Sequence, residues 1–125
     1  MDPPEQDPAE QSPAVDVADR ISREIAAIHR ESYGEAVDAI VTHIMDDVVV
    51  CVLDIHLLPH ERTLIEHGRG IESIQAVRKH FQESIGATFA ATVEHMTGRR
   101  VIGFLSETHI DPPFSVEFFR LAPAK

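Results

Sequence analysis

The stretch AVDAIVTHIMDDVVVCVL, residues 36–53, decides the fold class. Ala36–Ile44 is rich in β-branched residues and Val48–Leu53 is almost wholly apolar, so each reads as a strand. Met45-Asp46-Asp47 between them supplies turn chemistry, and the two runs close as a hairpin. A strand with apolar residues on both faces belongs in the middle of a sheet, which places Val48–Leu53 centrally. A second pair of strand-like runs, Val101–Thr108 and Phe114–Leu121, is joined by His109-Ile110-Asp111-Pro112-Pro113.

Helical spacing fills the rest of the chain. Ser12-Pro13 reads as an N-cap followed by proline at the first helical position, and Ile21, Ile25 and Ile28 follow on one stripe. This predicts a helix over Pro13–Ser32 that stops before Gly34. Leu58-Pro59 opens a short helix to about His67. Ile74, Val77, Phe81, Ile85, Phe89, Val93 and Met96 recur at steps of three and four, which predicts one helix of six turns ending at Gly98. Gly86 falls inside it at a cost of about 1 kcal/mol relative to alanine, and it permits close packing against another element. The resulting pattern is α-ββ-α-α-ββ: an α+β fold with a four-stranded antiparallel sheet and helices packed on one face.

Composition narrows the function classes. At 125 residues, 43% of them hydrophobic, the chain fits one globular domain over 13–125. Residues 1–12 hold four acids and three prolines with no large apolar side chain, which reads as a disordered tail. The net charge of −10 is concentrated early, with six acids against Arg20 in the first twenty residues. That sign opposes binding to nucleic-acid backbones and to anionic membrane surfaces. No run is apolar for the roughly 18 residues that a spanning helix needs, and Met1–Pro13 does not read as a signal peptide. A cytoplasmic protein without membrane insertion is expected.

Few residues invite chemistry. The lone Cys51 sits in an apolar strand and reads as a small buried hydrophobe. His56, His60 and His67, with Glu61 and Glu66 alongside, form the densest histidine set and the one weak candidate for a metal. Exposed histidines on an amphipathic helix explain the same letters, and no His-Glu-x-x-His motif is present. Asp46 and Asp47 suit a hard cation or acid–base work, but they also stand where a hairpin needs turn residues. Arg100 follows Arg99 at a helix end, where cations suit the dipole. A small anion or metabolite held between sheet and helices would draw on Arg62, Arg69 or Arg100. No nucleophile elbow, P-loop or dinucleotide fingerprint occurs, so no catalytic residue and no cofactor is assigned.

Several short runs together resemble MpsC-like domains. They are Ile21-Ser-Arg-Glu-Ile with Tyr33-Gly34, Asp46–Leu53, Leu58–Leu64, Phe81-Gln-Glu83, Thr97–Val101 and Phe104-Leu-Ser106. The resemblance covers roughly residues 18–122 and implies the soluble third component of a bacterial membrane-potential-generating system, handling cations or inorganic carbon. On that basis the expectation is a non-enzymatic accessory or regulatory protein. It would dock on the cytosolic face of a membrane transport complex; apart from the resemblance, the long helix and an exposed apolar sheet face make a homodimer the expectation. The alternative is a small-molecule or anion sensor, and a metal enzyme built on the histidines ranks below both.

Overall fold

The structure, a computed structural model, describes residues 13–34, 36–68 and 70–124. The acidic segment 1–12 lies outside the described residues. Eight elements follow one another: α1 (Pro13–Tyr33), β1 (Val37–Met45), β2 (Val48–Ile55), α2 (Pro59–Glu66), α3 (Ile71–Ser84), α4 (Gly86–Thr97), β3 (Val101–Ile110) and β4 (Pro113–Leu121). The four strands form one antiparallel sheet in the order β1-β2-β4-β3. The α+β class, the four-stranded sheet and the succession of helices and hairpins are as the sequence predicts.

Both hairpins are tighter than their turn residues suggest. Met45 belongs to β1, leaving Asp46-Asp47 as a two-residue turn with Asp46 at a positive φ of 49°. Aspartate tolerates that left-handed conformation because its short side chain bonds locally. At the other hairpin the strands run on to Ile110 and Pro113, so only Asp111-Pro112 remains as the turn.

The predicted six-turn helix is broken at Ile85 into α3 and α4. Gly86 gives the reason. A Cβ there would stand 2.9 Å from the Phe104 ring of β3, closer than real Cβ atoms come. Glycine thus lets the helix layer drop onto that ring, and the chain changes direction at the same point. α3 then follows β3, while α4 crosses to pack on α1. Gly98 closes α4 in the left-handed conformation, φ 69°, as the sequence anticipates.

The core lies between the sheet and the layer of α1 and α4. Ile21 and Ile25, Val49, Cys51 and Leu53, Phe89 and Val93, and Phe119 and Leu121 are all buried there. On the central strand β2 the side chains alternate strictly: Val49, Cys51, Leu53 and Ile55 are buried, while Val48, Val50 and Val52 on the other face are half-buried. Its central position is as expected, and its second face is uncovered among the described residues.

A buried polar seam as the candidate functional site

Strand register brings four inward-facing side chains into one row across the sheet. Thr42 lies opposite Cys51, Cys51 opposite Glu117, and Glu117 opposite Ser106. Helices extend the row at both ends. Ser22 of α1 shares a 2.7 Å hydrogen bond with the Thr42 hydroxyl, which sits 3.4 Å from Cys51 Sγ. Ser106 donates to Gln82 Oε1 of α3 at 2.6 Å. One row along, the Thr108 and Ser115 hydroxyls meet at 2.8 Å, and Gln82 Nε2 reaches Ser115 Oγ at 3.4 Å. Glu117, Gln82 and Ser115 are each 0% exposed.

Ser106 Oγ lies 2.6 Å from Gln82 Oε1 and 2.9 Å from Glu117 Oε1, two acceptors for a single hydroxyl proton. The Ser106 hydroxyl can donate to Gln82 Oε1 or to Glu117 Oε1, one at a time. Burial pushes the Glu117 carboxyl up to about 8, against the opposing Ser106 hydrogen bond. Its Oε2 has no hydrogen-bond partner. The neighbouring Cys51 thiol is raised by burial to about 11, with the Thr42 hydroxyl opposing. A protonated acid beside a protonated thiol is uncharged, which is how the interior accommodates both.

A second cluster joins three helices. Glu61 accepts from Arg78 Nε and Nη2 at 2.7 Å each, from the Tyr33 hydroxyl at 2.7 Å and from the Leu58 backbone N–H at 2.8 Å. The last bond caps the start of α2, where a carboxylate also meets the positive end of the helix dipole. Burial raises the Glu61 carboxyl, but these donors outweigh it and hold the group below the usual carboxylate range. The Arg78 guanidinium lies over the Tyr33 ring at 4.5 Å. His29 is fully buried beside them, and burial followed by the Arg78 charge lowers it to about 4, so it stays neutral. Arg78 and Gln82 stand one turn apart on α3, so a single helix face carries both clusters.

The sequence pattern of the family described as Na+-translocating membrane potential-generating system (MpsC) matches residues 15–122. The chain belongs to the MpsC family. No curated protein and no solved structure matches it. The match spans every strand and nearly all of the helical layer, so both polar clusters of this MpsC-family chain lie inside it.

The residues singled out from sequence are dispersed in this MpsC fold. Asp46 and Asp47 form the β1–β2 turn, where Arg99 donates to Asp46 O at 2.7 Å, to Asp47 Oδ1 and to Ala122 O. Arg100 is exposed next to it, and Arg62 is exposed on α2, beyond the opposite end of β2. Arg69 lies outside the described residues. Among the three histidines, His56 pairs with Asp38 at 2.7 Å and His67 bonds its own helix at Thr63 O. His60 lines a small cleft of about 90 Å³ with Tyr33, Glu61, Leu64, Ser73, Ile74 and Val77. Among the described residues no three His, Cys, Asp or Glu side chains converge on one point. Nor is any helix long and apolar enough to cross a membrane.

Glu117, Gln82, Arg78 and the partnership of Glu61 were not singled out from sequence. A signal for Gln82 and Glu61, though not for Glu117 or Arg78, was available in the runs that carry the family resemblance. Ser22, Tyr33, Cys51, Glu61, Gln82, Arg99 and Ser106 all stand in those runs, and each makes a polar contact described above.

Proposed function

We propose that the chain is a non-enzymatic accessory or regulatory subunit of a Na+-translocating membrane-potential-generating system, docking from the cytosolic side on its membrane component. The observation that carries this reading is the MpsC match over residues 15–122. The placement of the polar groups supports the non-enzymatic part. The densest set of hydroxyl, amide and carboxyl groups is sealed, with Glu117 and Gln82 at 0% exposure. A carboxyl so placed holds or releases a proton, but it meets a substrate only if sheet and helices part. The test is removal of the chain from its native host, followed by a voltage-sensitive dye reading of the Na+-dependent potential. A reduced potential restored by the wild-type chain is expected; an unchanged potential overturns the role.

The cleft lined by Tyr33, His60 and Glu61 favours a second reading, a sensor for a small ligand. Thermal shift against bicarbonate, carboxylates and nucleotides tests it, since a ligand at about 100 times its Kd adds about 2.7 kcal/mol. A flat response removes those ligands.

A further inference from the structure

The face of the sheet turned away from the helices is arranged in four rows. Strand register gives them as Met45–Val48–Arg120–Gly103, His43–Val50–Phe118–Leu105, Val41–Val52–Val116–Glu107 and Ala39–Asp54–Phe114–His109. The two middle rows are mostly Val, Phe and Leu. Val41, Met45 and Leu105 are 54%, 57% and 66% exposed. An exposed face of one helix-backed sheet is normally polar, and a contiguous apolar patch of this kind marks an interface. Four strands about 4.8 Å apart and about 26 Å long give a footprint near 500 Å², and the protruding side chains enlarge it. That approaches the roughly 800 Å² which each side of a stable dimer buries.

Charge on this face says what covers it. Arg120 stands in the first row and Asp54 in the last, at opposite ends of the adjacent strands β4 and β2. Both are exposed, and neither side chain has an ion-pair partner among the described residues. Glu107, the other acid of the face, is already paired with Lys79 at 2.9 Å. A twofold axis lying in the face, across the strands and between the two middle rows, exchanges first row with last and second with third. Arg120 of one copy then falls over the Phe114 ring of the other with Asp54 beside it, twice by symmetry. Phe118 meets Val116, and Val50 meets Val52. The face is complementary to itself, as an isologous interface requires.

We propose that a second copy of this chain covers the open sheet face, in a sheet-on-sheet dimer pinned by reciprocal Arg120–Asp54 pairs. The inference goes beyond the accessory role and stands or falls separately from it, because its test uses the purified full chain alone. Sedimentation equilibrium of the wild type at about 100 µM is expected to give twice the chain mass. Phe118→Asp is expected to give the single mass. Arg120→Glu, an exposed position that leaves the fold intact, is expected to weaken the dimer about tenfold, and the double change Asp54→Arg with Arg120→Glu to recover most of the loss. A single-chain mass for the wild type overturns the proposal and leaves the face to another protein. A dimer indifferent to Arg120→Glu, or a double variant no tighter than the single one, overturns it as well.

Discussion

Glu117 and His29 are both sealed in the interior, and burial moves their titrations in opposite directions. The folded chain holds the Glu117 proton until about pH 8, whereas the unfolded chain releases it near 4.5. Stability therefore falls with rising pH across that window, by about 1.4 kcal/mol per unit. His29, lowered from 6.5 to about 4, does the reverse: below 6.5 the unfolded chain takes up the proton first, and stability is lost as pH falls. The two slopes oppose each other up to 6.5, which leaves Glu117 acting alone between 6.5 and about 8. Urea midpoints of the wild type should drop over that interval, and those of Glu117→Gln should stay nearly level. Parallel slopes in the two proteins would show that Glu117 is ionised in the fold. Arg78 is a different case, because its partner is charged. Arg78→Met strands the Glu61 carboxylate in the interior and should cost about 3–5 kcal/mol in the same assay. A loss under about 1 kcal/mol would mean that solvent reaches Glu61 once the guanidinium is gone.

At the scale of elements, the break at Ile85 makes the sharpest demand on sequence. Gly86→Ala gains less than the roughly 1 kcal/mol of a helix interior, because Gly86 opens α4, and it puts a methyl 2.9 Å from the Phe104 ring. That ring is wedged between Phe89 and Phe119, with centroids at 6.3 Å and 5.2 Å, so it has little room to yield. Overpacking should win, for a net loss of about 1–2 kcal/mol in thermal or urea unfolding. A stabilised variant would show that the ring moves freely. The break itself was not legible in sequence, since the spacing of Ile74, Phe81, Ile85, Phe89 and Val93 continues through it without a change of period. Each hairpin was legible, because β-branched runs flank residues that only a turn uses well. The seam was hidden by the parity of β4. Ser115, Glu117, Phe119 and Leu121 point in and Phe114, Val116, Phe118 and Arg120 point out, so each set mixes apolar with polar side chains. With two similar faces, nothing local says that the acid belongs to the inner one. The runs that carry the family resemblance include Ser22, Cys51, Gln82 and Ser106 of the seam but not Glu117.

Across the whole molecule, the order β1-β2-β4-β3 puts the two hairpins side by side and makes the β2–β4 pairing the seam between them. Residues far apart in sequence, Cys51 and Glu117 among them, meet only when the second hairpin docks on the first. A dimer formed over the open face adds mass action to that folding step. The unfolding temperature of the full chain should then rise with protein concentration, and a midpoint that holds constant from low to high micromolar would speak against self-association. The chain's single thiol also sits on this seam, fully buried and with its pKa raised to about 11. It is consequently a built-in timer. A thiol reagent added to the native protein has to wait for the helix layer to lift from the sheet or for the two hairpins to part, so the modification rate counts openings of the core without any introduced label.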